Sequence, residues 1–196
     1  MYQIIQFCRH KLPFIWDFIE WINCLVFRIR YGRRLKAIPK ILAKASGVEI
    51  VYSQASTDDI ENLVDFFNRQ PQEAFIFFNP HKFDEKTIGH LIKNPSFIMI
   101  LAKINGTIAG YSFLRCFMNG KAFRGKIVGV DFRGRGIAKT FGTLTTEIAS
   151  ALGLGLFGTI SKANNASMAS SKSSNEIKII EELPNDYLLI QYLPKQ

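Results

Sequence analysis

The sequence predicts an α+β domain: a central mixed, mostly antiparallel sheet flanked by helices, with an added helical segment at the N-terminus. Three observations carry that expectation. Two Asn-Gly pairs, Asn105-Gly106 and Asn119-Gly120, each join strand-like runs, a strong short-range hairpin signal. The stretch Ile127–Lys139 passes from an apolar strand pattern through a loop of two glycines and two arginines into a helical period. Two further runs, Glu176–Glu182 and Tyr187–Leu193, flank the turn residues Leu183-Pro184-Asn185-Asp186.

In chain order, Val48–Tyr52 alternates as a first strand, and Ser56-Thr57-Asp58-Asp59 is a helix start with Ser56 or Thr57 as N-cap. Ile60, Leu63, Val64 and Phe67 give that helix its apolar face, and Pro71 ends it. An aromatic loop follows (Phe75, Phe77, Phe78, Phe83), then a short helix over Asp84–Ile92 closed by Asn94-Pro95. Phe97–Ile104, Thr107–Met118 and Lys121–Val130 read as three consecutive antiparallel strands. Ile137, Phe141, Leu144, Ile148 and Leu152 set the next helix, Leu156–Ile160 a strand, and Asn164–Ser174 a short polar helix.

The chain of 196 residues is 47% hydrophobic and 13% aromatic, enough for a substantial core and too apolar for a disordered chain. Its formal charge of +9 is uneven: residues 1–47 hold nine Lys/Arg against Asp17 and Glu20, a net +7, leaving +2 for the remainder. The basic character thus belongs to an N-terminal segment (residues 1–47) and not to the body (48–196), and no nucleic-acid partner is expected. Cys8, Cys24 and Cys116 are too scattered for a disulfide framework, and with His10, His81 and His90 they form no spaced ligand set. Reduced thiols in a cytoplasmic protein, and no metal, are the reading.

Within the N-terminal segment Pro13–Lys36 is helical, with Ile15, Phe18, Ile22, Leu25 and Ile29 on one seam. Phe14, Trp16, Trp21 and Phe27 lie off it, and Arg28, Arg30, Arg33, Arg34 and Lys36 form a basic cluster. Asp17 and Glu20 interrupt a run already shorter than the ~20 residues a bilayer demands, so no span is expected. Two readings stand: a helix lying in a membrane interface near anionic headgroups, peripheral to the inner face, or a helix packed on the domain or on a second copy as a homodimer. Ile38–Lys44 reads as a short second basic helix.

The chemistry concentrates at Val128-Gly129-Val130-Asp131-Phe132-Arg133-Gly134-Arg135-Gly136-Ile137-Ala138-Lys139. A strand that breaks into a glycine loop and opens a helix makes an anion site, because the first helical amides have no intrahelical partner and the macrodipole favours negative charge. No Gly-Lys-Ser/Thr follows, and the G-x-G-x-x-G spacing is absent, which excludes those two nucleotide fingerprints. Arg133-x-x-Gly136-x-Ala138 resembles the Q/R-x-x-G-x-G/A pyrophosphate loop of the GNAT acetyltransferase superfamily, and Thr107-Ile108-Ala109-Gly110-Tyr111 resembles that family's third-strand opening. With the element order, the resemblance covers about residues 48–196.

The resemblance implies a GNAT fold, acetyl-coenzyme A as acyl donor, and splayed fourth and fifth strands. Pantetheine would bond the strand around Val128, Gly129 and Val130, where an amide polarises the thioester carbonyl. The diphosphate would sit on the amides of Arg133 to Lys139. Asn164 and Ser167 match the family's Asn-x-x-Ala/Ser contact with coenzyme A, and Ser171 stands where a tyrosine often acts as general acid.

Phe78-Asn79-Pro80-His81-Lys82-Phe83-Asp84 resembles an F-x-P-H element of bacterial GNAT proteins tied to surface-polysaccharide and lipopolysaccharide biosynthesis. It implies a small-molecule sugar acceptor, nucleotide- or lipid-linked, with Phe78, His81, Phe83 and Asp84 as its contacts. His81 is the candidate general base, its ordinary pKa lying near neutrality, or else a structural loop histidine capping the helix that begins near Asp84. Asp131 and Glu85 are the further candidates, Asp131 serving otherwise to order the phosphate loop. The alternatives are a protein or peptide amine as acceptor, and a non-catalytic acyl-coenzyme A-binding scaffold.

Overall fold

The computed structural model describes residues 13–195, so the readings placed on Cys8 and His10 lie outside the described residues. Its elements are α1 (Pro13–Leu35), α2 (Ile38–Ala45), β1 (Val51–Gln54), α3 (Ile60–Asn68), α4 (Glu85–Lys93), β2 (Phe97–Ile104), β3 (Thr107–Cys116), β4 (Lys121–Val128), α5 (Ile137–Leu152), β5 (Gly155–Ser161), α6 (Asn165–Ser174), β6 (Glu176–Leu183) and β7 (Tyr187–Leu193). The strands form one sheet in the order β1-β2-β3-β4-β5-β7-β6, antiparallel throughout except for the parallel β4–β5 pair. That parallel pair requires a crossover, and α5 provides it.

Strand period two sorts the core into two layers. Ile98, Ile100 and Ala102 of β2 face a cluster built with Phe27, Tyr31, Ile38, Leu42 and the α5 seam. Phe97, Met99 and Leu101 face the other way, toward Leu63, Phe66 and Phe67 of α3 and Ile88 of α4. All five expected seam residues of α5 are buried. The hairpin signals hold: Asn105 (φ 48°) and Gly106 (φ 80°) turn β2 into β3, and Gly120 (φ 82°) closes the next turn.

The first strand begins later than its alternation implies. Val48 stands fully exposed in a turn in which the Gly47 amide donates to the Ile50 carbonyl, and pairing with β2 starts at Val51. At the start of α3, Ser56 and Asp59 form a capping box around a single 3₁₀ turn, and Asp59 also pairs with Lys103 at 2.5 Å.

α1 docks by the side opposite its sequence seam. Phe27 and Tyr31 enter the core, and polar pins fix the helix. Asn23 donates to the Cys116 carbonyl (3.0 Å) and accepts from the Met118 amide (2.8 Å); Arg34 donates to the Leu152 carbonyl (2.7 Å); Glu20 pairs with Arg115. Three seam residues face outward: Phe18 and Ile29 are 53% and 77% exposed and Leu25 is exposed between them, while Trp21, off the seam, is 60% exposed beside them. No helix among the described residues is long and apolar enough to cross a membrane.

Candidate active site

The sheet comes apart at its centre. β4 and β5 pair only over Lys121–Phe123 and Gly155–Phe157, after which the strands diverge. On the other side β4 stays paired with β3 up to Val128, and the Gly129 amide still donates to the Ala109 carbonyl. Antiparallel alternation therefore directs the odd-numbered backbone groups of β4 to β3, and those of Arg124, Lys126 and Val128 into the gap. The gap is a cleft of about 460 Å³.

At one end of the cleft lies the glycine loop. Gly134 (φ 79°) and Gly136 (φ 78°) are both left-handed, a conformation that a Cβ disfavours. Gly136 is the N-cap of α5 and has no side chain to satisfy the first amides of the helix, so those of Ile137, Ala138 and Lys139 remain for a ligand. Arg133, Gly134, Gly136, Ile137, Ala138 and Lys139 line the cleft here. Arg135 does not; its guanidinium lies 5.9 Å from the Phe132 ring and it lines a separate shallow hollow beside Tyr52.

Opposite the loop, α6 presents Ser167, Ser170 and Ser171, with Asn164 at its start. The Asn164 side-chain oxygen accepts from the Ser167 amide at 2.9 Å and caps the helix. The far wall comes from the aromatic loop: Glu73, Ala74, Phe77 and Phe78. The cleft thus gathers Val128, the loop from Arg133, Asn164, Ser167, Ser171 and Phe78, which come from separate parts of the chain.

Several expected site residues are placed elsewhere. Gly129 and Val130 have no amide to offer, since Gly129 bonds Ala109 and the Val130 amide donates to Gln70 Oε1 at 3.2 Å; the free amides are those of Lys126 and Val128. Asp131 is exposed in the turn before the loop and does not line the cleft. The Asp84 carboxylate caps α4, accepting from the Thr87 amide (2.8 Å) and hydroxyl (3.0 Å), and those bonds hold it below the usual carboxylate range. Phe83 stacks on Phe67 with ring centroids 4.1 Å apart.

His81 is the main correction. Its Nδ1 lies 2.8 Å from the Lys82 carbonyl, so that nitrogen carries the proton. Nε2 then accepts from the Tyr111 hydroxyl at 2.9 Å, and this fully buried phenol has its pKa pushed well above its ordinary value. Phe67, Phe83, Phe97 and Phe113 surround the imidazole, and burial lowers its pKa. The ring keeps a buried tyrosine satisfied, and its basic lone pair does not face the cleft.

Three cleft residues escaped the sequence reading. Glu73 brings a carboxylate to the aromatic wall. Arg124 is buried, donating through Nη1 to the Gly142 carbonyl, Thr145 and Asn175, with its guanidinium 3.4 Å over the Tyr192 ring and Nη2 without a partner. Lys126 Nζ donates to the Ala138 carbonyl (2.7 Å) and Ser170 Oγ (2.8 Å). Burial, and then the neighbouring Arg124, lower the Lys126 pKa to about 7. Their signal was in the strand: charges at 124 and 126, two apart, share one face of β4 directed at a buried layer.

A divided sheet with a glycine loop and helix at the mouth of the division is the GNAT fold. No protein-family model and no curated protein matches the sequence. Among solved structures, a GNAT-family acetyltransferase from Streptococcus pneumoniae aligns with a TM-score of 0.58 at 19% identity, over 74% of this chain and 99% of that one. The PaiA N-acetyltransferase of Thermoplasma acidophilum, solved with coenzyme A, gives 0.63 at 15% identity, over 76% and 100%. A ribosomal-protein-alanine N-acetyltransferase from Brucella melitensis gives 0.60 at 20% identity, over 73% and 99%.

Among the described residues no group of three His, Cys, Asp or Glu is placed to hold a metal ion. Cys24 and Cys116 are unpaired, and burial pushes the Cys116 thiol up to about 12, which makes it a poor nucleophile.

Proposed function

We propose that the chain is an acetyl-coenzyme A-dependent acyltransferase that passes the acyl group directly to an acceptor held against the Phe77–Phe78 wall. The observation that carries this reading is the β4–β5 gap, which presents unpaired backbone groups at Lys126 and Val128 and opens onto the glycine loop. A diphosphate fits the free amides of α5 and the side chains of Arg133 and Lys139. An extended pantetheine fits the gap as if it were one more strand, and the gap amides would polarise a thioester carbonyl lying there.

Glu73, the one carboxylate among the described residues lining the cleft, takes the role of general base in place of His81. The acceptor we favour is an amine or hydroxyl of a sugar, nucleotide- or lipid-linked, in cell-surface glycan synthesis. The resemblance of Phe78–His81 supports it, and so does a cleft wall of aromatic rings with an acid, a surface suited to a sugar ring. Solved neighbours also include a ribosomal-protein-alanine N-acetyltransferase and a spermidine N-acetyltransferase chimera, so a protein or polyamine amine is the competing acceptor.

The outward seam of α1 supports attachment to an anionic membrane surface. It places Phe18, Leu25 and Ile29 in a stripe, with exposed Trp21 beside it and exposed Arg28 and Arg33 on its flanks, a pattern suited to acyl chains and acidic headgroups together.

The deciding assay is thiol release from acetyl-coenzyme A across a panel of amino sugars, nucleotide sugars, polyamines and peptides. Turnover with a sugar supports the favoured acceptor, and turnover only with peptides or polyamines replaces it. Coenzyme A binding without turnover on any acceptor leaves a scaffold. Glu73→Gln should lower kcat about 10²–10⁴-fold if the carboxylate is the base.

A further inference from the structure

We propose that Lys126 is the proton donor to the departing thiolate, a catalytic role resting on the acyltransferase reading above. The observation is its double placement. Its backbone amide faces the gap where the thioester carbonyl would lie, and its ammonium group lines the same cleft, held by the Ala138 carbonyl at 2.7 Å and Ser170 Oγ at 2.8 Å. The position on α6 that the GNAT resemblance reserves for a tyrosine acid holds Ser171, next to the serine that Lys126 bonds. A serine hydroxyl is too weak an acid for the task; an ammonium group reaching the same spot from β4 is not.

The surroundings suit a donor that cycles. Arg124 on the same strand repels the charge on Lys126, and Tyr192 of β7 covers Arg124. α6 contributes hydroxyls only, and α5 the Ala138 carbonyl. Glu73, Arg133 and Lys139 also line the cleft, and none of them bonds Lys126. A lysine with its pKa brought down to about 7 holds and releases a proton near neutrality, close enough to a thiol's ordinary value of about 8.5 for transfer in either direction.

The step balances. The acceptor nitrogen or oxygen forms its bond to the acyl carbon, the C–S bond breaks with its electron pair on sulfur, and Nζ of Lys126 gives that sulfur a proton. The proton shed by the acceptor through Glu73, or one from solvent, recharges the lysine.

The test titrates the thiol of bound coenzyme A by the ultraviolet absorbance of the thiolate, in wild type and in Lys126→Met, with calorimetry to establish binding in each. In the wild type the bound thiol should ionise at lower pH than free coenzyme A, because thiolate and ammonium stabilise each other and the two groups titrate as a pair. In Lys126→Met the advantage should vanish while affinity stays within about tenfold. With whichever acceptor supports turnover, kcat should fall about 10²-fold and the KM for acetyl-coenzyme A should hold. Lys126→Arg, which keeps the charge but does not release its proton, should restore the thiolate shift and not the turnover. A bound thiol that titrates alike in wild type and Lys126→Met overturns the proposal, as does unchanged kcat in that variant. A wild type that binds no coenzyme A overturns the acyltransferase reading itself, so the two failures are distinguishable.

Discussion

Lys126 makes a prediction about stability that requires no substrate. Its pKa falls from 10.5 to about 7 in the folded chain, and at about 1.4 kcal/mol per pH unit the cost of keeping it charged is on the order of 5 kcal/mol. Because the folded value is depressed, the folded state binds fewer protons than the unfolded one between pH 7 and 10.5, and stability must rise with pH across that window. Below pH 7 both states are charged and the full penalty applies. Lys126→Met removes the penalty but also two hydrogen bonds, each contributing about 1 kcal/mol. The variant should therefore be more stable than wild type by about 3 kcal/mol at pH 6.5, raising Tm by roughly 6–12 °C for a chain of this size. By pH 10 the advantage should vanish or reverse. Other titrating groups act equally on both proteins, so the difference between the two Tm–pH curves isolates Lys126. Parallel curves from pH 6.5 to 10 would refute the argument and return the ammonium to solvent.

Three further outcomes follow from the cleft, the aromatic cluster and α1. Gly136→Asp forces a Cβ into a left-handed position and sets a carboxylate beside the α5 amides, so the thermal shift produced by acetyl-coenzyme A should disappear in a variant that still melts cooperatively. His81→Ala leaves the buried Tyr111 hydroxyl without its acceptor and should cost about 1–3 kcal/mol in denaturant melts, with the acidic limb of the rate–pH profile unmoved. The protein should co-sediment with anionic vesicles at low salt, and Arg28→Gln with Arg33→Gln should weaken this without loss of fold, since Arg30 and Arg34 hold the helix to the domain; no sedimentation of wild type would remove the membrane reading.

The hairpins, the α5 seam and the glycine loop were legible because local rules decide them: a left-handed turn demands Asn-Gly, and a buried face repeats at three and four. Side chains whose role depends on a distant partner were not. His81 sits in a motif that invites a catalytic role, yet its partner, Tyr111, is thirty residues away on β3 and appears only when the sheet forms. The α1 periodicity marks an apolar stripe, but periodicity has no sign: it cannot say whether the stripe meets the domain or turns away. Asn23, Glu20 and Arg34 decided that through polar bonds that a hydrophobic pattern ignores. Lys126 and Arg124 were visible as alternating charges, but their burial depends on α5 and α6 closing over them.

The short β4–β5 seam has a mechanical consequence. Three residue pairs join a four-stranded half, β1 to β4, to a three-stranded half, β5 to β7. Within each half the pairing runs the length of the strands, so bending stiffness is high there and low at the junction. The structure is two stiff plates on a narrow joint, with α5 lying across it and burying Phe141, Leu144 and Ile148 against both. Small rotations about that joint change the width of the cleft far more than they change either plate. A molecule wedged between the plates would brace them as a keystone braces an arch.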